Sequence, residues 1–245
     1  MTTYRLTLAY DGTRYRGWQR LSDSTLTVQG RVEQALSEIF ETSIEIDGSG
    51  RTDAGVHAAG QVASFHAPLR PIETILPRLR HLLPEDIGAM ALEYASDRFH
   101  ARLNATEKTY VYRVWNSALP DVFERRFRTQ VQQPLDLAAM QRAAELLVGT
   151  HDFRSFCANR QLKKSSVRTL KRLEITQNGG EVRFCLTADG FLHHMVRIIV
   201  GTLLEIGQGK RPSEEIGEIL AALCRERAGE TAPAKGLCLT EVRYE

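Results

Sequence analysis

The chain has 245 residues, of which 42% are hydrophobic and 25% charged, the composition of an ordinary globular protein with one large or two smaller domains. It contains no run of roughly 20 apolar residues that could span a bilayer, and its first residues lack the layout of a signal peptide. The four cysteines are widely spaced, which argues against a zinc site or a disulfide framework, and the net charge of +2 does not demand a nucleic-acid partner. We therefore predict a cytoplasmic protein with reduced thiols and no membrane contact.

Predicted strands and helices mix throughout the first half of the chain. Residues 3–10 alternate polar and apolar side chains, as a half-buried strand does, and Asp11-Gly12 predicts the turn that ends it. Apolar residues between Val28 and Phe40 recur on one helical face. Further strands are predicted at residues 44–46, 62–65 and 89–94, and a short helix at residues 71–83.

The second half of the chain resembles the first in kind. The pattern predicts strands at residues 110–115, 170–176, 181–187 and 237–244, and helices at residues 135–148, 195–206 and 216–223. Asn178-Gly179-Gly180 is a strong hairpin signal, so neighbouring strands run antiparallel. We predict an α+β fold: a mixed, largely antiparallel sheet covered by helices, with two similar α/β halves, 1–104 and 105–245, around a central basic cleft.

The stretch GSGRTDAGVHA at residues 48–58 places one Arg and one Asp among small side chains, which leave room for a ligand. A guanidinium at Arg51 would lower the pKa of Asp53, and the ionised carboxylate could then serve as a nucleophile or a general base. Asp53 could equally cap a short turn. The nearest other acids, Glu45 and Asp47, do not pair with it convincingly, which disfavours a two-carboxylate glycosidase.

Several other clusters have both a functional and a structural interpretation. Aromatic and basic residues interleave between Tyr10 and Arg20, where Tyr10, Tyr15 and Trp18 would either stack on RNA bases or pack into the core. His193-His194 lacks a surrounding metal-binding motif, which favours a structural or RNA-facing pair. Two basic runs, residues 125–128 and 160–172, are either solvated faces or phosphate contacts.

Longer motifs in a fixed order resemble the tRNA pseudouridine synthase A family along nearly the whole chain. They are YDGTRYRGWQ at 10–19, VQGRVEQAL at 28–36, GRTDAGVHAAGQVASF at 50–65, FHARLNATEKTYVY at 99–112, GTHDFRSF at 149–156, GFLHHMVRIIVGTLLEIGQG at 190–209 and APAKGLCL at 232–239. GRTDAGVHA is the most specific of them.

The resemblance implies isomerisation of uridine to pseudouridine at positions 38, 39 and 40 of the tRNA anticodon stem-loop, without a cofactor or metal. It also implies a homodimer with the tRNA lying across both subunits. The half at 1–104 would carry the catalytic loop, and the half at 105–245 would complete the active site and the tRNA-binding surface.

The resemblance also implies a role for five residues. Asp53 matches the catalytic aspartate, Arg51 the arginine that helps to turn out the target nucleotide, and Tyr110 the tyrosine that stacks on the uracil. Arg197 matches the basic partner of the aspartate, and Leu237 an apolar residue that lines the pocket. With tRNA as the substrate, the basic run at 160–172 is expected to contact its backbone.

Three alternatives stay open from the sequence. An RNA-binding protein derived from a synthase would keep the fold without the reaction, although it would be expected to lack Asp53. A synthase of the same chemistry could modify another uridine or another RNA. A metal-dependent hydrolase would use His193 and His194 and would lose activity on chelation.

Overall fold

The computed structural model describes residues 1–159, 161 and 164–244. The chain forms two compact units: Met1–Thr106 together with the chain from Cys238 onward, and Glu107–Leu237. Each unit contains a largely antiparallel sheet with helices packed on it, so the predicted α+β class is confirmed. The functional roles assigned to the two halves, and a basic cleft, stay predictions.

Ten strands and five α-helices make up the described chain. In chain order, the strands are β1 (Thr2–Tyr10), β2 (Asp47–Gly48), β3 (His57–Ala67), β4 (Ile87–Ala95), β5 (Ala105–Asn116), β6 (Thr129–Val131), β7 (Gly149–Asp152), β8 (Val167–Asn178), β9 (Glu181–Ala188) and β10 (Leu237–Tyr244). The helices are α1 (Val28–Phe40), α2 (Ile72–Leu82), α3 (Leu137–Glu145), α4 (Met195–Gly207) and α5 (Glu215–Ala222). No helix in the described ranges is both long and apolar enough to cross a membrane.

The sheet of the first unit has the order β4-β1-β3-β10. Strand β1 pairs antiparallel with both β3 and β4, and β10 runs parallel to β3 at Cys238 and Leu239. The short strand β2 pairs antiparallel with β3 at Ser64 and Ala63. Strand β2 therefore ends against β3, and the chain must return from Gly48 to His57 through the small-residue stretch that contains Asp53.

Helix α1 begins where its sequence predicts, because the Thr27 side chain accepts a hydrogen bond from the Gly30 amide. Residues 44–46 were expected to form a strand, and this expectation is wrong. The amides of Ile44 and Ile46 donate instead to the side chains of Ser37 and Glu33 on α1, at 2.9 and 3.0 Å. The two isoleucines are buried without joining the sheet.

The sheet of the second unit has the order β5-β9-β8-β7, with β6 parallel to β5. The predicted hairpin forms between β8 and β9, with Gly179 at φ +57° in its turn. The helix predicted at residues 135–148 is shorter, since α3 ends at Glu145, and Gly149 begins β7 with φ +120°. Helix α4 is buried on nearly every side, as its continuous apolar sequence requires.

Candidate active site

The loop from Ser49 to Val56, which joins β2 to β3, carries Asp53. Its first residues are fixed by the side chain of Gln61, which is completely buried. The Ser49 hydroxyl donates to Gln61 Oε1 at 2.6 Å, and Gln61 Nε2 donates to the carbonyl of Gly50 at 3.0 Å. A buried amide that satisfies both neighbours restrains the base of the loop.

The middle of the loop is held by the segment that follows β1. The Trp18 amide donates to the carbonyl of Thr52 at 3.0 Å, and the hydroxyls of Tyr10 and Thr52 are 2.8 Å apart. Burial raises the pKa of the Tyr10 phenol, so that hydroxyl stays protonated. A Cβ on Gly17, which has φ +101°, would lie 2.8 Å from the Thr52 carbonyl oxygen. Only glycine allows the two segments to approach this closely.

Asp53 itself begins a tight turn. The amide of Val56 donates to the main-chain carbonyl of Asp53 at 3.1 Å, and Gly55 has φ +78°. The bond that closes the turn therefore uses the backbone of Asp53 and not its carboxylate. Asp53 is half-buried and Arg51, on the same loop, is exposed.

The far end of the loop is fixed by close contact with the turn after β1. The amide of Gly12 donates to Nδ1 of the buried His57 at 3.1 Å. A Cβ on Gly12 would lie 1.9 Å from the carbonyl oxygen of Val56, a distance that no side chain tolerates. The loop is thus anchored before, within and after its turn, and Asp53 is presented on a preorganised backbone.

The aromatic residues at the end of β1 and in the segment after it do not offer faces to RNA. Trp18, Tyr10 and Tyr15 are 2, 5 and 6% exposed. The stacking role considered for them is wrong, and the alternative, packing into the core, is correct. Tyr10 and Trp18 support the Asp53 loop, and the Trp18 indole also covers Gly48 at the end of β2. Tyr15 donates its hydroxyl to Asp86 instead.

Three of the residues singled out by the resemblance lie in the second unit. Tyr110 is a buried residue of β5, opposite Leu186 on β9, and its ring contacts Phe191 edge to face at 5.2 Å. Arg197 lies in the first turn of α4 and is half-buried. Leu237 is buried at the start of β10.

A single segment links the elements that carry these residues. The Nε of Arg197 donates to the carbonyl of Ala232 at 2.8 Å, and the Ala232 amide donates back to the Arg197 carbonyl at 3.0 Å. The buried Tyr112, two residues after Tyr110, donates to the carbonyl of Pro233 at 2.8 Å. The segment leading to Leu237 is therefore tied to both α4 and β5.

His193 and His194 form the entry to α4. Both precede α4, and His194 caps it with a left-handed backbone at φ 61°. Their ring centroids are 3.9 Å apart. The left-handed residue turns the chain into the helix that carries Arg197.

Some residues of the two basic runs form ion pairs with acidic side chains of the same chain. Arg128 pairs with Asp121 at 2.8 Å and with Glu181 at 2.7 Å. In the run at 160–172, Lys171 pairs with Glu107 and Arg172 with Glu174. Arg160 and Lys163, which belong to the same predicted phosphate contact, lie outside the described residues.

The sequence comparisons identify the family of the chain. A family model described as tRNA pseudouridine synthase matches residues 7–104 and 143–245. The chain therefore belongs to the tRNA pseudouridine synthase family, and the resemblance predicted from its motifs is confirmed. It is an isomerase that acts on uridine in tRNA.

Named relatives extend over the full length of the chain. It is 49% identical to the tRNA pseudouridine synthase A of Moorella thermoacetica and 47% identical to that of Brevibacillus brevis, each match covering 100% of both sequences. It is 42% identical, with the same coverage, to tRNA pseudouridine synthase A 2 of Bacillus cereus.

Gln61 is the important residue that the sequence interpretation missed. It holds the base of the Asp53 loop, yet it belongs to no catalytic pattern. The available signal was a polar amide inside the otherwise apolar run that becomes β3. A polar side chain in such a run is expected to be satisfied by a specific partner.

Proposed function

We propose that this tRNA synthase isomerises uridines 38, 39 and 40 of the anticodon stem-loop, with Asp53 as the catalytic carboxylate. The observation that supports this most strongly is the anchoring of the Asp53 loop. The described anchors of the backbone are Gln61, Tyr10, Trp18 and the Gly12 turn, and together they restrain the loop before, within and after its turn. Rigid placement of a reacting group is what catalysis requires.

The reaction exchanges one bond at the sugar for another. The bond between C1′ and N1 breaks, the uracil turns, and C1′ joins C5. The proton on C5 then leaves, and N1 gains a proton. A base paired in a stem must first leave the stack, at a cost of a few kcal/mol. The small side chains around Asp53 leave room for a nucleotide to approach.

The remaining residues have proposed roles in holding that nucleotide. Arg51, exposed on the same loop as Asp53, is suited to contact the displaced strand or a phosphate. Tyr110 would stack on the uracil, a contact worth roughly 1–3 kcal/mol per base. Arg197 is the basic group that accompanies the catalytic carboxylate, and Leu237 lines the pocket. We further propose a cytoplasmic homodimer that binds one tRNA across both subunits.

Tritium release tests the proposal. With tRNA labelled at C5 of its uridines, the wild-type chain should release tritium in the presence of a chelator. Asp53→Asn should reduce the rate by roughly a thousandfold or more, since it removes the acid–base or nucleophilic group. Asp47→Asn, which changes an exposed carboxylate on the neighbouring strand β2, serves as the matched control and should retain the rate.

Three results would contradict the proposal, each in a different part. Full activity of Asp53→Asn would remove the catalytic assignment. Binding of tRNA without tritium release by the wild-type chain would favour the RNA-binding alternative. Substrates in which uridine is kept only at positions 38, 39 or 40 test the position, and release from a tRNA that lacks all three uridines would contradict the anticodon stem-loop assignment.

A further inference from the structure

The segment at residues 229–232 lies along helix α4 and runs antiparallel to it. At one end of the segment, Ala232 shares two hydrogen bonds with Arg197 in the first turn of the helix. At the other end, the amide of Gly229 donates to the hydroxyl of Thr202 at 2.9 Å, and Thr202 is completely buried. The helix therefore holds the segment at both ends.

Glu205 holds the same segment with one of its carboxylate oxygens. Its Oε1 accepts a hydrogen bond from the amide of Glu230 at 2.8 Å, and its Oε2 accepts one from the Nε of Arg211 at 2.6 Å. Charge-assisted hydrogen bonds of this kind are stronger than neutral ones. Gly201 lets the segment come this close to the helix, because a Cβ there would lie 1.8 Å from the carbonyl oxygen of Glu230.

Arg211 is shared between Glu205 and a second glutamate, Glu215 on α5. The Nη1 of Arg211 donates to Oε1 of Glu215 at 2.9 Å and to the carbonyl of Arg227 at 3.0 Å. The Glu215 side chain is 20% exposed and that of Glu205 is 18% exposed. Within the described residues, Glu215 makes no hydrogen bond to the segment at 229–232. The two glutamates thus resemble each other in burial and in their arginine partner, and of the two it is Glu205 that holds the segment.

The position of Ala232 sets the orientation of the Arg197 side chain. The Nε of Arg197 donates to the Ala232 carbonyl at 2.8 Å. A guanidinium is planar and rigid, so a hydrogen bond that fixes its Nε also fixes the directions of its terminal N–H groups. Glu205 lies eight residues further along α4, a rise of about 12 Å, and it reaches Arg197 through the segment at 229–232.

We propose that Glu205 is a positioning residue for the reaction: it fixes the segment at 229–232 and thereby the orientation of the Arg197 guanidinium. The inference rests on the proposed role of Arg197 as the basic partner of the catalytic carboxylate. Misplacing a group at an active site by about 1 Å can reduce the rate by roughly a hundredfold. The loss of Glu205 should therefore lower the rate at saturating tRNA and leave the affinity for tRNA unchanged.

The test compares the single-turnover rate of tritium release at saturating tRNA with the affinity for tRNA. Glu205→Ala should reduce the rate roughly tenfold to a hundredfold at unchanged affinity. Glu205→Gln keeps an acceptor oxygen for the Glu230 amide and should recover most of the rate. Glu215→Ala is the matched control, since it removes the other carboxylate that Arg211 contacts, and it should retain the wild-type rate.

Thermal denaturation shows that each variant is folded at the assay temperature. Should Glu205→Ala fail to fold, Glu205→Asp replaces it. The charge then stays, but the shorter side chain withdraws its oxygen from the Glu230 amide, and a loss of rate in the same direction is expected. A folded Glu205→Asp with the wild-type rate would overturn the inference.

A double variant shows whether Glu205 acts through Arg197. In protein that carries Arg197→Gln, Glu205→Ala should cause little further loss of rate, because the group that Glu205 positions has been removed. Losses that multiply in the double variant would overturn the inference. So would equal rates for Glu205→Ala and Glu215→Ala, or a Glu205→Ala defect confined to tRNA affinity.

The rate of Arg197→Gln alone separates this inference from the proposed function. A wild-type rate for Arg197→Gln would contradict the role proposed for Arg197 and would remove the inference together with it. A slow Arg197→Gln beside a fully active Glu205→Ala would contradict the positioning role of Glu205 and would leave the proposed function standing.

Discussion

The surroundings of Asp53 in the first unit differ in kind from the surroundings of Glu181 in the second. The Asp53 loop is supported by neutral hydrogen bonds to Gln61, Tyr10 and Trp18 and by close contacts at glycines. Glu181 is buried at the start of β9 under three guanidinium groups: Arg113 at 3.0 Å, Arg128 at 2.7 Å, and Arg183.

The difference lies in the groups that hold the surrounding structure, which are charged around Glu181 and neutral at the described contacts of the Asp53 loop. Partial burial alone would raise the pKa of Glu181, but the hydrogen bonds and charges of Arg113, Arg183 and Arg128 lower it to about 2. The ionised form of Glu181 is therefore the stable one, and its three arginine partners form ion pairs within the protein. Gln61, Tyr10 and Trp18 support the Asp53 loop instead through hydrogen bonds of neutral groups.

Removing the charge of Glu181 should have the largest effect on stability. Glu181→Gln leaves three guanidinium groups without their shared acceptor charge, and we expect the free energy of unfolding to fall by about 3–5 kcal/mol. Chemical denaturation measures the change. Glu174→Gln on β8, which pairs with the exposed Arg172, should cost far less, because solvent screens that pair. Equal losses for the two variants would contradict the structural role of Glu181.

Lowering the pH should weaken the same ion-pair network, because it protonates Glu181. Because the folded pKa of Glu181 is about 2 and its ordinary value is 4.5, its contribution is complete above about pH 4.5 and is lost as the pH falls towards 2. The shift corresponds to about 3 kcal/mol. Over this window, the unfolding free energy of wild-type protein should fall by about that much more than the unfolding free energy of Glu181→Gln. Parallel pH profiles would show that the carboxylate is not stabilised by its neighbours.

Gln61→Ala should weaken the support of Asp53 without touching its carboxylate. It removes the partner of the Ser49 hydroxyl and of the Gly50 carbonyl and leaves a cavity, which should cost about 2–3 kcal/mol. Tritium release should fall as well, because the loop loses its fixed base. Gln177→Ala, at an exposed position on β8, should change neither quantity. An unstable but fully active Gln61→Ala would separate the loop anchor from catalysis.

Gly17→Ala should have the smallest effect of the series. The new Cβ would lie 2.8 Å from the Thr52 carbonyl in a backbone conformation that disfavours side chains, for an expected loss of about 1–3 kcal/mol. Gly179→Ala isolates the conformational part, since Gly179 also has a positive φ but has open space around its Cβ position. Calorimetry should therefore show the larger loss for Gly17→Ala, accompanied by reduced tritium release for that variant alone.

Much of the architecture could be predicted because local patterns agree with the final packing. The apolar face from Val28 to Phe40 predicted α1 at its observed bounds. Asn178-Gly179-Gly180 gave the hairpin between β8 and β9, because only a few turn residues permit the positive φ found at Gly179. The stretch at residues 48–58 pointed to Asp53 for a similar reason: its small residues are needed where segments approach closely.

Other features depend on partners that are distant in sequence. The alternation at Ile44 and Ile46 resembles a strand, yet hydrogen bonds to the side chains of α1 replace a sheet neighbour. Arg128 belongs to a basic run in the sequence, but folding brings Asp121 and Glu181 to it. A sequence records which charges exist and not which of them neutralise one another.

The sequence by itself therefore determined the family, the α+β class and the loop that carries Asp53, because these follow from short-range periodicity, turn residues and an uninterrupted motif. The tertiary structure decided what supports that loop. Tyr10 and Trp18 read equally well as RNA-stacking or core residues, and only their burial against Thr52 and Gly48 distinguishes the two. Burial is a property of packing between distant segments, and no local pattern specifies it.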